Sequence, residues 1–185
     1  MDLLITIITP CCRQDNLDIL LDSLKFEYIN EWIIVYDISK GDFKKKFDHP
    51  KISEYFHTSM GISGNPQRNY ALTKIKNEHG YIYYLDDDNI IHPDFYTLSL
   101  EPQKIYTFNQ EHDGKLRLKG NRIKIGHIDT AMFLVSYQLV KDVRWNVEAY
   151  AADGEYIKNC YLRNRTRWIH IDKTMCYYNN ITNGI

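Results

Sequence analysis

Three consecutive carboxylates, Asp86, Asp87 and Asp88, follow directly on the apolar and aromatic run Tyr81-Ile82-Tyr83-Tyr84-Leu85. Carboxylates about 6 Å apart repel by roughly 2–3 kcal/mol at an effective dielectric near 20, so a fold that gathers them needs a cation. Every ligand on offer is an oxygen, which selects Mg²⁺ or Mn²⁺ over zinc. If the segment stays extended, alternation places Asp86 and Asp88 on one side, where one holds the metal and the other touches substrate. A solvated acidic turn is the plain alternative, and it does not explain why a buried strand runs straight into the charges. A calcium loop fits poorly, because Ile90 stands where a further oxygen ligand is required.

The elements that must position these groups follow a βαβ rhythm. Met1 to Thr9 reads as a first buried strand, and Asp15-Asn16 as the cap of a helix with Leu17, Leu20, Leu21 and Leu24 on one face. Glu31 to Asp37 is a second buried strand ending in a carboxylate. A lysine-rich loop, Ser39 to Asp48, and a short strand from Ile52 to Phe56 come next. Gly61-Ile62-Ser63-Gly64-Asn65 is a flexible turn, and Pro66 suits the first position of a helix over Gln67 to Lys76. This alternation predicts an α/β fold with parallel pairing, in which ligands bind beyond the carboxyl ends of the strands. Thr9, Asp37 and Asp86 all lie at such ends, and Arg68 lies in the first turn of a helix.

The second half is less regular. His92-Pro93-Asp94 starts a helix, Lys104 to Asn109 reads as a strand, and Glu111-His112-Asp113-Gly114 as its exposed outer turn. Strands are predicted over Arg122 to Gly126, Ala131 to Val135 and Trp168 to Tyr178, with helices over Tyr137 to Lys141 and Asp153 to Leu162. Arg163, Arg165 and Arg167 alternate as in an extended segment. Asp129, in a turn before a strand, either receives hydroxyl groups of a ligand or serves as a plain turn carboxylate.

Length and composition bound the function. The 185 residues suit a single domain, with residues 1 to about 100 as one half and about 101 to 185 as the other. A net charge of −1, from 23 basic and 24 acidic residues, gives no bulk attraction to nucleic acid or anionic membrane, so an anionic ligand must be held locally. The apolar start is brief and lacks a basic leader, which excludes a membrane span or signal peptide there. Cys11, Cys12, Cys160 and Cys176 match no zinc spacing and read as reduced thiols of a cytoplasmic protein.

Together these residues resemble the nucleotide-sugar glycosyltransferases of the GT-A fold, particularly the family 2 type. The resemblance rests on Ile7 to Pro10, Asp37, Gly61 with Gln67-Arg68-Asn69, and Leu85-Asp86-Asp87-Asp88 followed by Pro93-Asp94-Phe95. It continues more loosely through Asp129-Thr130-Ala131-Met132-Phe133 and Ala152-Asp153-Gly154-Glu155-Tyr156. It implies a Rossmann-like, mainly parallel sheet flanked by helices, a UDP-sugar donor, a glycan or similar hydroxyl acceptor, and Mn²⁺ or Mg²⁺ as cofactor. In those terms Asp37 accepts the imide N–H of uracil, Thr9 and Pro10 line the base pocket, and Arg68 binds phosphate or the neighbouring carboxylates. Asp86 goes to the nucleotide sugar and Asp88 to the metal, with Asp87 open between support and ligation. His170, in Trp168-Ile169-His170-Ile171-Asp172, matches a late histidine that completes the metal shell in several relatives; a core histidine is the alternative. Asp153 matches the acid that deprotonates the attacking hydroxyl in inverting relatives. The usual preceding acid is replaced by Ala152, which leaves Asp153, Glu155 or neither as the base, and inversion only slightly ahead of retention. Trp145 and Tyr150 offer stacking surfaces for an acceptor sugar. The short second half also suits one domain of a longer, multi-activity protein.

Two rival classes remain. A metal-dependent phosphohydrolase or nucleotidyltransferase would need a glycine-rich loop after the first strand or a second acidic cluster, and the sequence has neither. A non-catalytic UDP-sugar-binding module would keep the fold and the ligand but not the transfer.

Overall fold

The computed structural model describes residues 5–58 and 60–181, so the Met1 to Leu4 part of the expected first strand lies outside the described residues. Nine strands form one mixed sheet: β1 (Ile5–Cys11), β2 (Ile29–Asp37), β3 (Ile52–His57), β4 (Tyr81–Tyr84), β5 (Ile90–Ile91), β6 (Ile105–His112), β7 (Lys115–Leu118), β8 (Phe133–Ser136) and β9 (Trp168–Tyr177). Their order is β3-β2-β1-β4-β8-β6-β9-β5, with β7 paired to β6. The first four in that order are mutually parallel, as the βαβ rhythm requires. Antiparallel β8 then joins the two halves of the chain by pairing β4 on one side and β6 on the other.

The helices are α1 (Leu17–Ser23), α2 (Asn65–Leu72), α3 (Tyr137–Val140) and α4 (Ala152–Arg163). Leu17 and Leu20 are fully buried, as their spacing predicts. The expected Asp15-Asn16 cap does not form; Gln14–Asn16 is a 3₁₀ turn, and the Asn16 side chain instead donates to the Asp87 carbonyl at 2.9 Å. His92-Pro93-Asp94 opens a 3₁₀ turn, Pro93–Thr97, with the His92 ring accepting from the Asp94 N–H. Residues 122–126 form turns in place of a strand, and the chain from Arg165 to Arg167 is a 3₁₀ turn in place of an extended segment. Two strands were not anticipated: the two-residue β5, and β7, which a hairpin closed by Asp113 and Gly114, both with positive φ, carries.

Strand alternation divides the sheet's two faces by residue type. On one face Trp32, Tyr36, Phe43 and Phe47 pack together, and the Tyr36 hydroxyl donates to buried Glu54 at 2.6 Å. On the other, Tyr84, Phe133, Trp145 and Tyr156 form an aromatic cluster, in which Trp145 and Tyr156 stack at 4.5 Å and 8°. Each such pair adds about 0.5–1.5 kcal/mol beyond area burial, so this cluster fixes α4 against the end of β4. No helix among the described residues is long and apolar enough to cross a membrane.

Candidate active site

The carboxyl ends of β1, β2 and β4, the start of α2, the β6–β7 hairpin and the start of α4 enclose a cleft of about 650 Å³, a size suited to a small-molecule ligand. Six carboxylates (Asp37, Asp86, Asp87, Asp88, Asp129, Asp153) and four basic side chains (Arg13, Lys40, Arg68, Arg117) line it. The excess is negative, so an anionic ligand such as a diphosphate enters favourably only with a cation.

The acidic triplet sits at the end of β4. Leu85 still pairs with β1, its N–H donating to the Ile8 carbonyl at 2.9 Å, but the chain turns immediately afterwards and Asn89 N–H donates to the Asp86 carbonyl at 3.1 Å. The segment therefore does not stay extended. Asp86 and Asp88 still share the cleft because the turn folds Asp87 beneath them. Asp87 is 2 % exposed, and its carboxylate accepts from the Cys12 N–H at 2.7 Å, the Arg13 N–H at 2.8 Å and Arg13 Nε at 2.9 Å. Its oxygens are committed to protein donors, so Asp87 supports the turn and is not placed as a donor-binding group. Arg13, which the sequence reading passed over, also meets Asp88 Oδ2 at 2.8 Å.

Burial, followed by the neighbouring Asp86 charge, pushes the Asp88 carboxyl up to about 6 despite Arg13. That proton affinity marks a carboxylate short of positive charge. A hard divalent cation fits: Mg²⁺ and Mn²⁺ commonly take one or two carboxylates and complete their shells with phosphate and water. Asp88 and Asp86 are the side chains that would hold it. Among the described residues no three histidine, cysteine or carboxylate side chains converge as a ligand group, at the acidic turn or elsewhere, so phosphate and water would have to complete the shell around Asp86 and Asp88. His170 does not join the acidic turn. The β6–β9 register sets it opposite Thr107, early in β9, with Nδ1 3.4 Å from Thr107 Oγ1 and Nε2 3.8 Å from Asp172. The residue of that chain segment that reaches the cleft is Tyr178.

Arg68 is 3 % exposed and held on every side. Its guanidinium donates to the Ser63 carbonyl at 2.6 Å, to Asn65 Oδ1 at 2.9 Å and to Asp86, and lies 4.6 Å from the Trp145 ring centroid. It is thus a fixed cation beside the acidic turn. Gly64, with φ +72°, caps α2, and a Cβ there would stand 2.7 Å from Pro10 Cβ, so the helix start lies directly over Pro10.

Pro10 and Asp37 both line the cleft, and Asp37 Oδ1 accepts from the Ser39 N–H and hydroxyl. Thr9 does not. It is fully buried on the opposite face of β1, where its hydroxyl accepts from Trp32 Nε1 at 2.9 Å. Adjacent strand residues point to opposite faces, and Thr9 takes the face of β1 turned away from the pocket.

Across the cleft, Asp129 Oδ1 accepts from the Thr130 N–H at 2.8 Å while Oδ2 pairs with Arg117 at 2.8 Å. Arg117 also donates to Gln110 and lies 3.6 Å from the Tyr178 ring centroid, so β7 brings a guanidinium to this wall. Asp153 stands in the first turn of α4, whose N-cap is Ala151, and accepts from the Gly154 N–H at 2.7 Å. Burial above all, then the charges of Asp129 and Asp86, push its carboxyl up to about 6 against the opposing pull of the Gly154 N–H and Arg68. Glu155 accepts from Asn146 at 3.0 Å and does not line the cleft, leaving Asp153 as the carboxylate on that wall at the start of α4. Trp145 is 3 % exposed, so its ring belongs to the core, whereas Tyr150 is 89 % exposed at the rim.

No family model and no curated protein sequence matches the chain. Solved structures do. That of S. aureus TarS residues 1–349 superposes with a TM-score of 0.66 at 14 % identity, covering 94 % of this chain and 60 % of that one. TarS in complex with UDP-GlcNAc gives 0.62 at 15 %, covering 98 % and 62 %. Glucosyl-3-phosphoglycerate synthase from Mycobacterium tuberculosis, in complex with Mn²⁺, UDP and phosphoglyceric acid, gives 0.61 at 11 %, covering 94 % and 69 %. The chain has the GT-A fold of nucleotide-sugar glycosyltransferases. It spans about 60 % of the length of the TarS structures it matches.

Proposed function

We propose that the protein transfers a sugar from a UDP-sugar to a hydroxyl group of a glycan or similar acceptor, with a divalent cation and with inversion at the anomeric carbon. The observation that carries this reading is the meeting, in one cleft, of Asp37, Arg68, the acidic turn and Asp153 from four separate elements. Binding of UDP-GlcNAc by TarS, and of Mn²⁺ with UDP by the mycobacterial synthase, supports the choice of donor and cation.

In this reading the β1–β4 half holds the nucleotide and the later half presents the acceptor. Asp37 accepts the imide N–H of uracil, a contact that cytosine cannot make at that nitrogen. Arg68, immobilised by Ser63 and Asn65, keeps positive charge beside the diphosphate without reorganising. Asp86 and Asp88 would hold Mg²⁺ or Mn²⁺, which when bound stabilises negative charge on the departing diphosphate. Asp153 accepts the proton of the attacking hydroxyl. As the hydroxyl oxygen bonds to the anomeric carbon, the bond from that carbon to the UDP oxygen breaks and its electron pair leaves with UDP. A side-chain proton affinity near 6 suits a base that must be ionised at neutral pH yet still attract a proton.

The reading is tested by incubating the protein with Mn²⁺ and a panel of nucleotide sugars and identifying the released nucleotide. Release of UDP, stimulated by a hydroxyl acceptor, is expected. Release of UMP would make it a phosphohydrolase, and tight UDP binding without any release would make it a binding module.

A further inference from the structure

Gln67 lines the same cleft and is 1 % exposed, yet among the described residues neither its amide nitrogen nor its carbonyl oxygen has a hydrogen-bond partner. An unpaired buried carboxamide destabilises a fold, and native structures retain few of them. Most buried polar side chains around this cleft are well bonded; Asn65, for example, donates to the Asn146 and Ala149 carbonyls. The neighbouring Arg68 has one unpaired nitrogen, Nε, but its other two are engaged. Trp145 Nε1, which also borders the cleft, lacks a partner too but is a donor only; among the described residues Gln67 is the side chain with both a donor and an acceptor unused.

Its position indicates what it faces. The start of α2 lies over Pro10. Pro10 is in register with Val35 on β2, so the two side chains share a face, and Asp37, two residues on, shares it as well. Gln67 is therefore on the Pro10 and Asp37 side of the sheet, where α2 packs on β1 and β2. Asp86 and Asp88 lie in the turn that follows β4, the next strand over, and Arg68 is the α2 residue that reaches that turn, through Asp86. A neutral group with one donor and one acceptor function is a poor diphosphate ligand beside that arginine. It is a good complement to the edge of a heterocycle. Uracil presents a carbonyl, an N–H and a second carbonyl in sequence, and Asp37, which only accepts, satisfies just the central N–H.

We propose that Gln67 is a base-reading residue, its amide N–H donating to a uracil carbonyl that flanks the N–H accepted by Asp37. This rests on the UDP-donor reading and adds the residue that completes recognition of the base. It also accounts for the unpaired group: the carboxamide is satisfied only when nucleotide is bound.

The experiment is calorimetric titration of UDP with Mn²⁺ into the wild-type protein and Gln67→Leu, together with the thermal midpoint of each without ligand. Gln67→Leu is expected to bind UDP at least about tenfold more weakly, while its ligand-free Tm stays level or rises because an unsatisfied buried group is gone. UDP binding by Gln67→Leu within twofold of wild type overturns the proposal. Should the variant melt earlier, the wild-type protein decides. Weaker binding of 2-thio-UDP or 4-thio-UDP than of UDP is then expected, and equal binding of all three overturns the assignment. A wild-type protein that binds no uridine nucleotide refutes the donor reading itself, a result distinct from normal UDP binding by Gln67→Leu.

Discussion

As the proposed base, Asp153 must combine two opposed properties, being ionised at neutral pH and holding a proton well, and its surroundings bear on both. Burial and the nearby Asp129 and Asp86 raise its proton affinity, while the Gly154 N–H and Arg68 keep the carboxylate form accessible. Asp153→Asn should therefore leave UDP affinity intact and lower the transfer rate by about 10²–10⁴, measured as acceptor-dependent UDP release. Unimpaired turnover would return Asp153 to a helix-start residue. Asp88→Ala should abolish the Mn²⁺-dependent part of donor binding; affinity equal to wild type would remove it from the cation site. The meeting of Asp37, Asp86, Asp88 and Asp153 in one cleft was legible in the sequence because each lies where a pattern breaks, at the end of an apolar strand or the start of a helix. Thr9 was misread because strand-end position says nothing about which face a side chain takes. Arg13 was missed because nothing local to it signals that Asp87, 74 residues later, will accept from both its backbone and its guanidinium.

The elements do their positioning through close backbone approach, and two glycines mark it at the helices that border the cleft. Gly64 adopts φ +72° at the start of α2, and a Cβ would meet Pro10; Gly154 lies in α4, where a Cβ would come 2.6 Å from Ile125 Cα. Gly64→Ala and Gly154→Ala should each cost about 1–3 kcal/mol in denaturant unfolding, the first through left-handed strain plus contact and the second through overpacking. Gly154→Ala should also depress transfer beyond its effect on UDP binding, since it displaces Asp153; a matching loss of both would show that α4 does not set the acceptor side. The parallel half of the sheet was readable because its strands are buried runs separated by periodic helices. The later half was less so. The Asp113-Gly114 turn and the alternation of Lys115-Leu116-Arg117-Leu118 together carry a hairpin signal, yet β7 is mostly exposed and only four residues long. Residues 122–126 show the same alternation, through Ile123 and Ile125, without the pairing partners that would make them a strand.

For the molecule as a whole, the cleft stores like charge that ligand binding relieves, and this couples stability to pH. Asp88 and Asp153 both release their protons near pH 6 in the folded protein, against about 4 in the unfolded chain, so between those values the folded state holds protons that the unfolded state has lost. Their contribution to cation-free stability is therefore full below about pH 4 and declines as pH rises through 6, whereas cation and donor affinity should rise over the same interval. Thermal melts from pH 4 to 7 without Mn²⁺ should show this decline, and the pair Asp88→Asn with Asp153→Asn should flatten it; an unaltered pH dependence in the double variant would place the coupling elsewhere. The six carboxylates and four basic groups of the cleft lead to the most direct test of the account, a calorimetric titration of UDP into the wild-type protein with Mn²⁺ and again with the cation chelated. Saturable binding that requires Mn²⁺ is predicted. Binding of equal strength after chelation, or none under either condition, would contradict it.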